Sequence, residues 1–251
     1  MTPTRTLLRG LAILEALADA GQPLGPTRLA DASELDKATV GRLLFTLGVA
    51  GYVRQDDQGR YALTSKLLQL TQHISLEPEL TACARPHLID LRDATAETVH
   101  LGVLDGDRVV YIDKIEGRHP VRLVSAVGQS MPMHTTALGK AALAWMTPRE
   151  CERRLPRLPL PPRTDRSLTN VEALREDLAR TRRRGFAVDD RENEEQASCV
   201  GAAILGRDGA PVGMVSVSGP SARILARLEE FGQRCADTAA VISADVVGAA
   251  R

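Results

Sequence analysis

The chain has 251 residues, of which 43% are hydrophobic, and it carries 32 basic and 32 acidic side chains. This length allows two domains with a sizeable core, and the hydrophobic fraction is ordinary for a globular protein. No apolar run approaches the roughly 20 residues that a bilayer-spanning helix needs, and the balanced charge excludes a nucleic-acid surface spread over the whole molecule. Any such surface must be local.

The N-terminal segment contains charged residues and lacks the uncharged apolar stretch and cleavage site of a signal peptide, so we expect a cytoplasmic protein without membrane contact. The cysteines are widely spaced, and no CxxC pair or Cys/His cluster predicts a metal site. Disulfides are not expected in a reducing compartment. The sequence therefore predicts buried free thiols, no metal and no cofactor.

The first part of the chain predicts three helices in succession. Leucines recur at helical spacing from Leu7 to Leu17, and a glycine and a proline then end that helix. A short second helix is predicted from Pro26, a favoured first helical residue, to near Ser33. Asp36 is placed to cap the third helix, which glycines close.

A hairpin and a further helix follow. The segment YVRQDDQGRYAL alternates around a turn at Asp57–Gly59, which is typical of two paired strands. Leucines then predict a helix from Ser65 to about Ser75, and Pro78 marks its end. The predicted organisation is a winged helix-turn-helix domain at 1–64, a linker helix at 65–77 and a second domain at 78–251.

The second domain reads as paired strands with helices between and after them. Two strand-like runs flank Asp105-Gly106, and another two flank Asp208-Gly209. Hairpins with interspersed helices favour an antiparallel sheet, so the predicted fold class is α+β. The predicted helices lie at 80–94, 136–146, 148–155, 170–184 and 221–248.

The third helix has two different faces. Val40, Leu43, Leu44 and Leu47 form an apolar face, whereas the opposite face carries cations among small residues. In a winged helix-turn-helix the second helix of the pair enters the major groove and the hairpin lies along the backbone. Small residues allow close approach, and arginine suits guanine or phosphate. The predicted DNA contacts are Arg28, Lys37, Ala38, Thr39, Gly41, Arg42, Thr46, Arg54 and Arg60.

Two features of this block stay open. Phe45 also falls toward the exposed side of the third helix, where it either packs on the hairpin or meets a thymine methyl group. The whole block also fits a three-helix packing module with a solvated cationic face. The order of helix, short helix, capped helix and hairpin favours DNA binding.

Motifs along nearly the whole chain resemble the IclR family of bacterial transcriptional regulators. RGLAILEAL, TVGRLLFTLGVAGYV and GRYALTSKLLQL resemble its DNA-binding block, VGQSMPMHTTALGKAALA resembles a signature of its second domain, and RGFAVDDRENEEQASCVGAAILGRDGAPVGMVSVSGP resembles its C-terminal signature. The chain departs from the usual family pattern at Glu34–Asp36, at Leu63-Thr64 and at Gln196. These departures concern DNA preference and pocket shape.

The resemblance implies a GAF-like second domain that binds a small effector, dimers that pair into tetramers, and a palindromic double-stranded operator. Ser216 and Ser218 are two apart on a predicted strand and project on one side, where their hydroxyls suit a carboxylate or carbonyl. Alternation alone would instead favour a solvated edge. We expect a small organic acid with a hydroxyl or keto group. The effector positions carried over by motif are Ala137, Leu138, Asp189, Cys199, Ser216 and Ser218.

Three alternatives accompany this interpretation. The first is a ligand-sensing or scaffold protein without DNA binding. The second is a hydrolase-like enzyme that uses Cys199 and His134 with Asp189, which requires these side chains to meet in the fold. Gly139-Lys140 resembles the end of a P-loop, but the residues around it do not fit that motif. The third is a nucleic-acid surface at the basic cluster Arg180–Gly185, although this cluster suits a helix end better.

Overall fold

A computed structural model describes residues 3–71, 77–121 and 123–249. The chain divides into two units, residues 1–75 and 76–251, which we describe separately. Among the described helices, none combines the length and the apolar character needed to cross a bilayer.

The first unit has the predicted order of three helices and a hairpin. The hairpin strands pair antiparallel, with Val53 opposite Leu63, and Gly59 in the turn takes a positive φ of 75°. Part of the helix predicted at 65–75 is present, and its end at 72–76 lies outside the described residues. The elements are α1 (Arg5–Ala20), α2 (Pro26–Ser33), α3 (Lys37–Val49), β1 (Val53–Gln55), β2 (Tyr61–Leu63) and α4 (Lys66–Thr71).

Helix α3 begins as the sequence indicates. The carboxylate of Asp36 accepts the Thr39 N–H at 2.8 Å and the Thr39 hydroxyl at 2.7 Å, which satisfies a donor that a helix start leaves unpaired. Val40 and Leu44 are fully buried against α1 and α2, together with Ile13. The predicted inner face of α3 is therefore confirmed.

The second unit is a six-stranded sheet with helices on both faces. Every pairing in it is antiparallel, and the strand order is β5-β4-β3-β8-β7-β6. The predicted α+β class with an antiparallel sheet is confirmed. The elements are α5 (Pro78–Thr95), β3 (Thr98–Asp105), β4 (Arg108–Ile115), β5 (Ser130–Pro132), α6 (Ala137–Trp145), α7 (Pro148–Arg154), a 3-10 turn (Leu155–Arg157), α8 (Val171–Arg184), β6 (Ala187–Asp190), β7 (Ala197–Leu205), β8 (Pro211–Pro220), α9 (Ser221–Ala226) and α10 (Leu228–Ala249).

Two differences from the sequence-based expectation concern the ends of the sheet and the last helix. Strands β5 and β6 were not predicted, because three or four residues are too short to show alternation. The single helix predicted at 221–248 is two helices. The backbone leaves helical geometry at Arg227 (φ −128°, ψ 31°), and no glycine or proline at that position predicts the break.

The two faces of the sheet carry different side chains. On one face Val99, Leu101 and Val217 pack with α5 and α10 into an apolar core. Alternate positions project to the other face, toward α6. Ser216 and Ser218 lie there on β8, a central strand between β3 and β7, and both are buried. The solvated-edge alternative for these serines is therefore wrong.

Candidate functional site

The outer face of α3 carries most of the predicted DNA contacts. Lys37, Ala38, Gly41, Arg42 and Thr46 are all exposed. Thr39 departs from that pattern, because its bonds to Asp36 hold it at the helix start and leave it only 9% exposed. The face carries two cations together with the small residues Ala38 and Gly41, which suits close approach to a polyanion.

A hollow of about 240 Å³ lies between α1 and α3. Arg9 and Arg42 line it together with three threonines, and Arg42 Nη2 donates to Thr39 Oγ1 at 3.4 Å. Two guanidinium groups beside hydroxyls suit a backbone phosphate. Sequence reasoning did not find Arg9, since only the packing of α1 against α3 brings it beside Arg42.

The predicted cations outside α3 differ in their surroundings. Arg28 on α2 and Arg54 on β1 are exposed. Arg60 is also exposed, but its Nε donates to Asp56 Oδ2 at 2.8 Å. Hydrogen bonds from the Arg60 backbone and side chain lower the pKa of Asp56, so this carboxylate stays charged and offsets Arg60. Arg54 is therefore the stronger positive charge of the hairpin.

The second unit contains a cavity that is lined by all six predicted effector positions. Its free internal volume is only about 30 Å³. Besides those six residues, several polar side chains that sequence reasoning missed face it. The lining comprises His100, Tyr111, Leu123, Val124, Ser125, Gln129, Met131, Thr136, Ala137, Leu138, Asp189, Asn193, Glu194, Ala197, Cys199, Ser216 and Ser218.

Strand register brings the polar residues of this cavity together. Cys199 lies opposite both Asp189 and Ser218, and Ser216 lies opposite both His100 and Gly201. Paired residues on neighbouring strands project to the same face, so these two rows form one wall. Residues more than a hundred positions apart in the chain meet there, which no local pattern could show.

Helix α6 begins at the opposite wall. The Thr136 hydroxyl caps it by accepting the Gly139 N–H at 3.2 Å, and Ala137 and Leu138 follow in the first turn. Glycine at position 201 permits this approach, because a Cβ there would stand 3.0 Å from the Ala137 carbonyl carbon. The first N–H groups of a helix lack intrahelical partners and attract anions.

Asp189 is the buried acidic group of the cavity lining, whereas Glu194, which also lines it, is exposed. Asp189 is 2% exposed, and its Oδ1 accepts the backbone N–H groups of Glu192 at 2.7 Å and Asn193 at 3.3 Å. Burial raises the pKa of Asp189 to about 7, although the charge of Lys140 opposes that rise. Near neutral pH this carboxyl therefore exists in both forms and either donates or accepts a hydrogen bond.

His100 and Cys199 are neutral polar groups. Burial lowers the pKa of His100 to about 3, and burial raises the pKa of the Cys199 thiol well above its usual value. His100 Nε2 is hydrogen-bonded to Ser125 Oγ at 2.7 Å, and its ring stacks on Tyr111 with centroids 4.4 Å apart. Tyr111 therefore forms an aromatic part of the cavity lining.

A buried ion cluster fixes α6 to the segment that follows β6. Lys140, which is fully buried, places its Nζ 3.1 Å from Asp177 Oδ2 and 2.5 Å from Glu192 Oε1. Glu192 N–H in turn bonds to Asp189. Lys140, the lysine of the P-loop-like Gly-Lys pair, thus neutralises two buried carboxylates. Through Glu192 it also holds the part of the cavity wall that carries Asp189.

Two further sequence-based interpretations can be compared with the structure. His134 Nε2 is hydrogen-bonded to the Pro161 carbonyl at 3.0 Å, and His134 does not line the cavity that Cys199 and Asp189 share. The basic cluster ends α8: Gly185 has φ 87°, and Arg182 Nε donates to the Ala144 carbonyl at 2.6 Å. The helix-end interpretation of the cluster is confirmed.

Comparisons with known proteins cover both units. Residues 6–57 match the family model described as the IclR helix-turn-helix domain, and residues 58–244 match the model described as bacterial transcriptional regulator IclR C-terminal. The HTH-type transcriptional regulator KdgR of Escherichia coli (strain K12) is 33% identical over 96% of this chain and 92% of that protein. The transcriptional repressor IclR of the same organism is 33% identical over 91% of this chain and 85% of that protein.

A solved structure agrees with these matches. The crystal structure of the Thermotoga maritima IclR is similar with a TM-score of 0.73 and 30% identity, over 96% of this chain and 98% of that one. Matching models for both units, relatives of this similarity and a shared fold point to one assignment. The chain belongs to the IclR family of DNA-binding transcriptional regulators, with an effector-binding C-terminal domain.

Proposed function

We propose that this protein is a cytoplasmic regulator that binds a palindromic operator as a dimer or tetramer, and that a small hydroxy or keto acid in the cavity of the second unit changes its operator affinity. The observation that carries the proposal is the convergence of Ala137, Leu138, Asp189, Cys199, Ser216 and Ser218 on one buried polar cavity at the start of α6. The organisation proposed for it is a DNA-binding domain at 1–64, a linker at 65–77 and an effector domain at 78–251.

The chemistry of the walls supports this ligand class. The N–H groups at the start of α6 and the hydroxyls of Ser216 and Ser218 offer donors to a carboxylate. Asp189 and the neutral imidazole of His100 offer partners to a hydroxyl or keto group at the other end of the ligand. An uncharged apolar ligand would leave these buried polar groups unpaired, which costs binding free energy.

The size of the cavity supports a coupled movement. The free volume of only about 30 Å³ leaves little room for an organic acid, so we propose that the lining moves outward when the acid binds. The segment 123–129 is the lining with the least burial, and Val124 on it is 95% exposed. A ligand that binds the moved arrangement more tightly shifts the protein toward it, and this differential affinity is what alters DNA binding.

Selection of bound DNA from a random pool, with and without a panel of hydroxy and keto acids, tests the proposal. We expect enrichment of an inverted repeat and a change of operator affinity by one acid of about 5- to 150-fold. Affinity should also fall steeply with salt, as phosphate contacts require. If no sequence is enriched, DNA recognition is refuted; if no acid alters binding, the effector class is wrong.

Replacement of Arg42 by alanine should weaken operator binding by about 1–3 kcal/mol, the usual value of a good base contact. Arg42 is exposed on α3, so the fold should survive. Fluorescence anisotropy with the selected duplex measures the loss. Arg157→Ala, which removes an exposed cation from the second unit, is the matched control. Unchanged affinity in folded Arg42→Ala would remove this residue from the interface.

Self-association should depend on an apolar groove of the first unit. The groove has a volume of about 580 Å³ and lies between α1, α3 and α4, with Leu11, Leu14 and Leu67 in its walls. Leu7 and Leu70 also line it, yet they remain 63% and 56% exposed, which is unusual for large apolar residues. A second copy of this unit would cover them, and two-fold symmetry matches a palindromic operator.

Sedimentation measures that association. We expect at least a dimer at micromolar concentration, and a large shift toward monomer in the variant Leu7→Glu/Leu70→Glu, because charges would enter the apolar interface. Phe45→Ala, which shortens another exposed apolar residue of this unit, should leave the association unchanged. A monomeric wild-type protein, with and without operator DNA, would contradict the assembly.

Effector affinity should fall as pH rises through 7. The pKa of Asp189 is about 7, so deprotonation adds a negative charge to the small cavity that holds the anionic ligand. Between pH 6 and pH 8 we expect the affinity to fall about 10-fold for an effector that binds only the protein in which Asp189 is protonated. Calorimetry at both pH values measures it. Asp189→Asn should abolish the pH dependence; an equal dependence in that variant would assign the titration to another group.

No catalytic role is proposed for the cavity. A nucleophilic cysteine needs a thiolate, whereas burial raises the pKa of Cys199, and the hydrogen bond of His134 to Pro161 holds that ring at another position. A sensor releases its ligand chemically unaltered, so binding without a reaction fits the proposed role. An assay that finds any candidate acid altered after incubation with the protein would overturn this part of the proposal.

A further inference from the structure

One large apolar side chain of the DNA-binding unit is turned toward solvent. Phe45 on α3 is 73% exposed, whereas Val40 and Leu44 of the same helix are buried. With about 100° of rotation per residue, Phe45 projects almost directly away from the buried face. It is also absent from the lining of the apolar groove that we assign to self-association.

The neighbours of Phe45 define the surface that it would contact. At the same angular spacing, Lys37 and Arg42 flank it on either side of the exposed face, and Gly41 and Ala38 lie about one and two turns before it. A Cβ added at Gly41 would meet no atom within 4 Å, so the surface around the ring is low and open. An apolar ring between two cations would suit a partner surface in which an apolar group lies among the negative charges of a polyanion.

The major groove of DNA offers such a group in only one base. The C5-methyl of thymine projects into the groove, and phenylalanine is among the side chains that contact it. We propose that Phe45 packs on a thymine methyl group in each half-site and so determines part of the sequence preference. This inference rests on the proposed operator binding, and it adds a specificity-determining residue to the predicted contacts. A protein partner for the ring is the competing outcome.

Uracil substitution isolates that methyl group. In the duplex selected by this protein from a random pool, each thymine is replaced in turn by uracil, which removes the methyl and leaves the base-pairing groups intact. At one position of each half-site we expect about 4-fold weaker binding by the wild-type protein, the effect of one buried methyl group. Phe45→Ala should bind the thymine and uracil duplexes equally, and Phe45→Leu should retain part of the difference.

Val49→Ala is the matched control. Val49 is 76% exposed one turn beyond Phe45, farther from the N-terminal end of α3, where a recognition helix contacts bases. This variant should keep the full preference for thymine. If Val49→Ala loses the preference, the contact belongs to that residue and the assignment of Phe45 is overturned.

Two other outcomes would also overturn the inference. Equal binding of thymine and uracil duplexes by the wild-type protein at every position would refute the methyl contact while operator binding stands. A change in the oligomeric state of Phe45→Ala with an unchanged thymine preference would assign the ring to a protein interface. Failure to select any sequence would instead refute the proposed function itself, so the two failures are distinguishable.

Discussion

Replacement of Lys140 by methionine is expected to lower the free energy of unfolding of the second unit by about 3–5 kcal/mol. Lys140 is fully buried between the carboxylates of Asp177 and Glu192. Without the ammonium group the two carboxylates stay buried and lose the opposite charge that Lys140 supplies. Leaving them without it costs more stability than the ion pair itself contributes. The same change should loosen the wall that carries Asp189, because Glu192 N–H bonds to it.

Urea unfolding followed by tryptophan fluorescence measures this loss. Trp145 is the single tryptophan of the chain and lies at the end of α6, the helix of Lys140. Burial raises the pKa of Glu192, so the deficit of the variant should shrink at acidic pH, where that carboxyl is neutral. Lys140→Met/Glu192→Gln should recover part of the stability. A variant as stable as the wild type at pH 8 would contradict the role of the cluster.

The double variant Ser216→Ala/Ser218→Ala should bind the effector at least about 100-fold more weakly. A hydrogen bond to a charged group contributes about 1.5–3 kcal/mol, and two of them correspond to that factor or more. Both serines are buried on β8 in the cavity wall, and the contact of Ser218 Oγ with His100 Nδ1 is long, 3.4 Å. The fold should therefore tolerate their removal.

Calorimetry with the acid identified by operator selection measures the binding. Ser221→Ala is the matched control, since Ser221 pairs with Ser198 outside the cavity lining. The control should bind as the wild type does. Equal binding by the double variant would show that the acid sits elsewhere, although membership of the family would stand.

Local signals explain which parts of the fold could be predicted. The apolar spacing on α3, the cap at Asp36 and the glycine turns are each encoded within a few residues, and their elements were predicted correctly. Strand β6 has four residues and no turn signal, so it was missed. The break at Arg227 was missed because the sequence there favours a continuous helix.

Local sequence patterns do not predict which residues meet in the cavity. Alternating Ser216 and Ser218 look like a solvated edge until the sheet order puts β8 at its centre. His100 reaches the same wall only through its register opposite Ser216, and Lys140 meets Glu192 across 52 positions of the chain. Motif resemblance supplied the positions of the serines, but it did not supply His100, Tyr111 or the ion cluster.

The central claim is that a ligand in the cavity of the second unit controls DNA binding by the first. Its most direct test is the affinity of the full chain for the selected duplex, measured by fluorescence anisotropy with and without the selected acid. For the wild-type protein we predict a change of about 5- to 150-fold, and for Ser216→Ala/Ser218→Ala no change at the same acid concentration. An equal change in both proteins, or none in the wild type at a concentration where calorimetry shows the acid bound, would contradict the claim.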